Sequence, residues 1–269
     1  MEDLHILTEK VGHIAREGGT FLREARLTFD AHKVETKHTH DYVSYVDRES
    51  ERQIVDKLKI LLPEAGFITE EGTIRTNEER QLKWVIDPLD GTTNFIRDNA
   101  PYCISIALCS NKEILLGVVY EVCRDELYAA SKDGPSTLNG HPIRVSGINS
   151  MEDAYAILEL PYNTMEYKAT GAHLYDRLYG TAACLRMPGS AAAAMCYVAA
   201  GRFDIWFESF IGRWDYMGAA LIVKQAGGKV TNFFGREDIL NTNNIVATNA
   251  LLHDKILDWL GENMPKGLK

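Results

Sequence analysis

What the 269-residue chain lacks already narrows its role. No apolar run approaches the roughly 20 residues needed to cross a bilayer, so no membrane partner is expected. The opening residues, Met1-Glu2-Asp3-Leu4-His5, lack the basic then apolar pattern of a signal peptide, and a cytoplasmic protein is expected. Five cysteines (Cys103, Cys109, Cys123, Cys184, Cys196) are odd in number, show no C-x-x-C spacing and sit in apolar runs. That pattern predicts buried free thiols rather than a disulfide framework or a zinc site. Cationic residues are in deficit: 29 Lys and Arg against 38 Asp and Glu give a net charge of -9 and a pI near 5.4. This balance argues against a nucleic-acid surface as the main business and leaves room for a local basic patch. There is no G-x-G-x-x-G fingerprint and no regular βαβ repeat, which argues against a dinucleotide fold. No Ser/Gly linker breaks the chain, so residues 1–269 are read as one domain of two tightly packed subdomains, about 1–150 and 151–269.

What is present centres on Trp84-Val85-Ile86-Asp87-Pro88-Leu89-Asp90-Gly91-Thr92-Thr93-Asn94-Phe95. The apolar start predicts a short buried strand that delivers Asp87 and Asp90 to a sheet edge. Pro88 cannot donate to a ladder, so the backbone is expected to leave the sheet there, while Gly91 permits a positive φ. Two carboxylates beside a turn rich in hydroxyl and N–H donors make sense with a cation between them and a phosphate. The ligands on offer are all oxygen, which suits Mg²⁺. Taken alone, Asp-Pro and Asp-Gly are equally ordinary turn signals.

Apolar spacing predicts a helix over residues 4–28, interrupted by Gly18-Gly19, and a second over 50–62 with Asp47 at its start, where an acid also suits the helix dipole. Residues 30–41, with Lys33, Lys37, His38 and His40, read as a polar loop; two imidazoles at i, i+2 do not make a closed metal site. Gly66 to Thr69 reads as a strand that delivers Glu70 and Glu71, and alternation lets only one of them face a given site. Runs at 103–108, 114–121 and 126–130 predict an antiparallel meander. A strand at 154–158 follows, then a small-residue helix over 189–200 whose N-terminus, Gly189, Ser190 and Ala191, favours substrate oxygens. A strand ends in Glu208, and Asp215 begins a helix stopped by Gly227-Gly228; by itself Asp215 reads more readily as a dipole-stabilising acid than as a ligand. Strands at 229–233 and 244–248 and a helix at 250–260 complete the pattern. Mixed strands and long helices point to layered α and β.

The run from Trp84 to Phe95 closely resembles the first signature of the inositol monophosphatase family of metal-dependent, lithium-sensitive phosphatases. A second family signature recurs from Trp214-Asp215 through Gly218-Ala219-Ala220 to Ala226-Gly227-Gly228, and Phe67-Ile68-Thr69-Glu70-Glu71 is similar to the acidic segment that precedes the first. The resemblance spans roughly residues 1–260. It implies a mixed α+β fold, the layered αβαβα sandwich of the inositol monophosphatase and fructose-1,6-bisphosphatase type, usually as a homodimer. It further implies that Glu70, Asp87 and the Leu89 carbonyl hold one Mg²⁺, and that Asp90, Asp215 and shared Asp87 hold a second. A third, through Glu70 and water, belongs to the same pattern. Thr92, backed by Asp47 and near Glu70, orients the attacking water, and the Gly91, Thr92 and Thr93 turn receives phosphate. Glu208 matches a residue that bonds inositol hydroxyls, with Ala191 and Asp90 against the same ring, and Lys37 stands nearest to an active-site lysine of the family. The implied reaction is Mg²⁺-dependent hydrolysis of a small phosphomonoester, inositol 1-phosphate first. Relatives with similar motifs act on fructose 1,6-bisphosphate, histidinol phosphate, 3′-phosphoadenosine 5′-phosphate or NADP, and some bind transcription machinery. Gln225 departs from the pattern, since many relatives carry Glu before Ala-Gly-Gly.

Overall fold

The computed structural model describes residues 3–30, 34–38, 41–74, 79–161 and 164–268. Helix α1 (Leu4–Leu27) starts at Asp3, whose carboxylate accepts the His5 N–H at 2.8 Å. Leu7, Val11, Ala15 and Leu22 form its buried stripe. Gly18 and Gly19 do not interrupt it. A Cβ on Gly19 would stand 2.2 Å from Tyr120 Cε1, and one on Gly18 2.7 Å from Ile104 Cδ1, so the bare backbone lets the helix lie directly on a sheet. β1 (Glu35–His38) pairs antiparallel with β2 (Asp41–Val43), where a polar loop was expected. Backbone pairing between strands does not need an apolar face, so composition misses it. The side chains of Lys37 and His38, and residues Lys33 and His40, lie outside the described residues.

Helix α2 (Tyr45–Leu61) begins five residues earlier than the spacing predicts, because Ser44 and Asp47 form a capping box. The first sheet has the order β3 (Gly66–Thr69), β4 (Leu82–Asp90), β5 (Cys103–Ser110), β6 (Ile114–Glu121), β7 (Glu126–Ser131), β8 (Thr137–Leu138) and β9 (His141–Pro142). Only β3 and β4 are parallel within it. The second sheet runs β11 (Cys184–Arg186), β10 (Tyr155–Leu158), β12 (Ile205–Ser209), β14 (Asn244–Thr248), β13 (Lys229–Thr231).

Three apolar clusters define the layers. α1 and α2 pack on the outer face of the first sheet around Trp84, Ile104 and Tyr120. Between the sheets lie α5 (Ala191–Ala199) and α6 (Arg213–Gln225), sharing one core with Val85, Ala107 and Val119 on one side and Ile157, Trp206 and Ile245 on the other. α4 (Thr164–Leu178) and α7 (His253–Glu262) cover the outer face of the second sheet. The result is a mixed α+β sandwich in five layers, αβαβα. Gly117 of β6 meets Gly218 of α6 so closely that a Cβ on Gly117 would stand 2.1 Å from the Gly218 carbonyl oxygen. At the other end of α6, Gln225 Nε2 donates to the Ser131 and Lys132 carbonyls at 2.8 and 2.5 Å. An ionised Glu has no proton to give to these carbonyls. All five cysteines are free, but Cys123 is exposed and Cys184 half-buried, contrary to the expectation of burial throughout. Cys123 lies in the turn just after β6, where the apolar run has already left the sheet.

Candidate active site

Strand β4 does not end at Pro88. Its register with β5 slips between Asp87 and Asp90, and Asp90 pairs again opposite Cys103. The missing proline N–H is absorbed as a bulge, which re-aims the side chains without terminating the sheet. Within the bulge Leu89 N–H donates to Asp87 Oδ1 at 2.9 Å, and Ser50 Oγ donates to the Pro88 carbonyl at 3.0 Å. Gly91 then turns with φ 93°, and a Cβ here would stand 2.9 Å from the Pro101 carbonyl oxygen. The short helix α3 (Thr92–Ile96) follows at once.

Thr92 Oγ1 lies 2.9 Å from Asp47 Oδ1 and 3.0 Å from the Leu89 carbonyl. Asp47 is fully buried, and its other oxygen accepts from Ser44 N–H at 2.9 Å and Ser44 Oγ at 2.5 Å. Burial pushes its carboxyl above the ordinary range, with the Ser44 and Thr92 donors opposing. Glu70 leaves the end of β3 with its N–H bonded to the Ile86 carbonyl at 3.2 Å. The segment around it is tied down by Glu51 of α2, a buried acid that receives Thr69 Oγ1, Glu71 N–H, Thr73 N–H and Thr73 Oγ1. Asp215, in the first turn of α6, accepts the Gly212 N–H at 2.5 Å.

These elements enclose a cleft of about 300 Å³. It is lined by Glu70, Asp87, Leu89, Asp90, Gly91, Thr92, Thr93, Gly189, Ser190, Ala191, Glu208 and Asp215, every site residue expected from the sequence except Asp47, which reaches it through Thr92. Glu159, Leu160, Pro161, Phe210 and Ile211 complete the far end, with Asn94 of α3. Six carboxyl groups and no Lys, Arg or His stand among these lining residues. Burial first, then the charges of Glu70, Asp90 and Asp215, push Asp87 well above the ordinary Asp range. Asp90 is also raised by burial, although Ser190 Oγ and Ala192 N–H both donate to its Oδ2 at 2.7 Å and Cys103 Sγ stands 3.5 Å away. Glu208 is raised well above its usual range by burial and by Glu159, Asp215 and Asp90, and burial with Asp90 pushes Glu159 up to about 8.

Buried acids that raise one another need a counter-charge, and an all-oxygen donor set fits a hard divalent cation. No group of three or more Asp, Glu, His or Cys side chains among the described residues is already placed to hold a metal ion.

The N–H groups at the start of α5, expected to meet substrate oxygens, are partly engaged within the protein: Gly189 N–H donates to Glu159 Oε1 at 3.0 Å and Ala192 N–H to Asp90. Two acids escaped the sequence reading. Glu159 follows the apolar run 154–158 just as Asp87 follows Trp84 to Ile86, and that pattern was the available signal. Glu51 sits within a helix among other charges, where nothing local distinguishes it.

The model of the inositol monophosphatase family matches residues 4–264. Nus factor SuhB of Escherichia coli is 32% identical over 266 residues, covering 99% of this chain and 100% of that protein. Among solved structures, the extragenic suppressor protein suhB from Bartonella henselae superimposes with a TM-score of 0.89 at 31% identity, covering 96% of this chain and 100% of the other. The inositol monophosphatase from Anabaena does so with a TM-score of 0.86 at 27% identity, covering 98% of each. Alike in five-layer architecture and matched along almost its full length, the chain belongs to the inositol monophosphatase family.

Proposed function

We propose that this protein is a Mg²⁺-dependent phosphomonoesterase, with inositol 1-phosphate the first candidate substrate. The observation that carries this reading is the convergence of Glu70, Asp87, Asp90 and Asp215 on one cleft with the Gly91-Thr92-Thr93 turn. Glu70, Asp87, the Leu89 carbonyl, Asp90 and Asp215 would hold two Mg²⁺ ions, with a third through Glu70. When bound, Mg²⁺ supplies Lewis-acid chemistry, acidifying water and neutralising charge on the phosphate and the departing alkoxide.

The chain's own groups do the positioning. Asp47 Oδ1, fixed by its partner oxygen's bonds to Ser44, accepts the Thr92 hydroxyl proton. The lone pairs of Thr92 Oγ1 are thereby left to accept from a water placed for in-line attack, with Glu70 as the neighbouring acceptor. The turn at Gly91, Thr92 and Thr93 receives phosphate oxygens, and Glu208 accepts from a hydroxyl of the leaving alcohol. No covalent phosphoenzyme is required, in keeping with phosphoryl transfer catalysed by position and charge.

The test is phosphate release from inositol 1-phosphate, fructose 1,6-bisphosphate, histidinol phosphate, 3′-phosphoadenosine 5′-phosphate and NADP, with and without Mg²⁺ and with added Li⁺. Metal-dependent, lithium-sensitive release led by inositol 1-phosphate supports the reading. Release led by another compound keeps the chemistry and replaces the substrate, and no release rejects both. A second reading follows from the name Nus factor carried by the SuhB relatives: in the cytoplasm the protein, as a homodimer, also binds transcription machinery. Copurification with RNA polymerase components tests it, and Asp90→Asn separates the two roles by abolishing hydrolysis while leaving that binding intact.

A further inference from the structure

The far end of the cleft holds polar groups that the chemistry at Asp87 does not use. β10 and β12 are parallel neighbours with Leu158 opposite Phe207, so Glu159 and Glu208 are the next residues in step at the two strand ends. Adjacent strands lie about 4.8 Å apart, which places the two acids side by side. Leu158 and Phe207 belong to the outer cluster with α4 and α7. By alternation the residues after them turn to the opposite face, and both line the cleft.

Glu159 is 6% exposed and commits Oε1 to the Gly189 N–H. The Glu208 carboxyl has no hydrogen bond to another described residue. Tyr167, 2% exposed, lies within electrostatic reach of both carboxyl groups, and its buried hydroxyl has no hydrogen-bond partner among the described residues. No cation stands in the lining to balance the acids. Tyr167 belongs to the outer cluster with α4, so the groups that face the cleft here are the two carboxyls, and acceptors side by side call for a ligand with paired hydroxyl donors.

We propose that Glu159 and Glu208 act as a pair that reads two hydroxyls on adjacent ring carbons of the leaving alcohol, making Glu159 a specificity-determining residue. The inference rests on the phosphatase reading above. With Glu159 Oε1 taken by the Gly189 N–H, its other oxygen and the Glu208 carboxyl stand as neighbouring acceptors in the cleft. A vicinal diol answers both, and a bare ring answers neither.

The experiment compares kcat/KM for inositol 1-phosphate with that for cyclohexyl phosphate, the same ring without its hydroxyls, in the wild type, Glu159→Ala and Glu159→Gln. Glu159→Ala is expected to lower the ratio about 10- to 100-fold, through KM for inositol 1-phosphate, with cyclohexyl phosphate changed less than about 2-fold. Glu159→Gln offers a donor and an acceptor, keeps the Gly189 bond, and is expected to restore the ratio to within about 3-fold of wild type. Equal losses on both substrates reduce Glu159 to a structural support of Gly189 and overturn the proposal, as does an unchanged ratio. Hydrolysis of neither substrate by the wild type rejects the phosphatase reading, and this inference with it. Should the alanine variant not fold, a crystal structure of the wild type with inositol and phosphate decides: ring oxygens within hydrogen-bond distance of both carboxyl groups support the pair, and a ring that leaves Glu159 without a contact overturns it.

Discussion

Gly117→Ala tests whether the site depends on how closely α6 lies on the first sheet. The added Cβ would stand 2.1 Å from the Gly218 carbonyl oxygen and 3.0 Å from the Gly218 carbonyl carbon, both backbone atoms that no rotamer change can move. To reach the 3.4 Å at which ordinary contact begins, strand and helix must separate by about 1.3 Å. Overpacking of this kind costs about 2 to 3 kcal/mol, a fall in Tm of roughly 5 to 10 °C for a domain of this size. Asp215 lies three residues before Gly218, about 4.5 Å along the same helix, and moves with it. A displacement near 1 Å at a reacting group costs on the order of 100-fold in rate. Thermal unfolding followed by circular dichroism, paired with Mg²⁺-dependent phosphate release, reads both effects. Gly218→Ala is the internal control. Its Cβ meets Ser105 Oγ at 2.8 Å, a hydroxyl that can rotate away, and backbone only at 3.3 Å. It should cost about 1 kcal/mol or less and preserve most activity. Wild-type Tm and kcat in Gly117→Ala, or a greater loss in Gly218→Ala, would refute the reasoning.

Glu51→Ala strands four donors around residues 69–73 and should destabilise by about 2 to 4 kcal/mol while lowering kcat through Glu70; urea melts and turnover check this, and an unchanged urea midpoint contradicts it. His253 is buried between Thr231 and Thr248, and burial with Lys229 lowers it to about 4. Its folded value is depressed, so its contribution is complete above the unfolded value of 6.5 and is lost as pH falls from there toward about 4. That window corresponds to at most roughly 3 kcal/mol. Urea melts between pH 4.5 and 7 should show this slope in the wild type and not in His253→Gln. Asp87 is raised, so in the metal-free protein its own contribution is present at low pH and is lost as pH rises through the elevated folded value. Mg²⁺ should therefore raise Tm more at pH 8 than at pH 6, by an amount equivalent to about 2.7 kcal/mol at 100 times Kd. The reverse order, or no Mg²⁺ effect, counts against a cation among these acids.

How far the sequence could be read depended on whether the physics was local. Asp87-Pro88-Leu89-Asp90-Gly91 was legible because proline and glycine act on their own backbone, and Gly91 takes the positive φ expected of it. Even there the rejoining of β4 at Asp90 was not foreseen, since a bulge depends on the partner strand as much as on proline. Gly18 and Gly19 marked something unusual, but only Tyr120 and Ile104, a hundred residues away, explain it. Glu159 becomes notable only when β10 and β12 are in register, and register is a tertiary fact. Assembly of the acids from three separated motifs into one site was anticipated through family resemblance rather than from spacing.

Helix α5 has consequences beyond packing. All nine of its residues are buried, most are alanine, and it lies between the sheet that carries Asp87 and Asp90 and the sheet that ends in Glu159 and Glu208. It works as a shim: the volume of its side chains sets the gap between the acids at the phosphate end and those at the far end. A chain with Val or Leu in place of Ala192 to Ala194 would hold the sheets farther apart and admit a bulkier leaving group with every lining residue unchanged. Substrate size is then written partly in atoms that the substrate never meets.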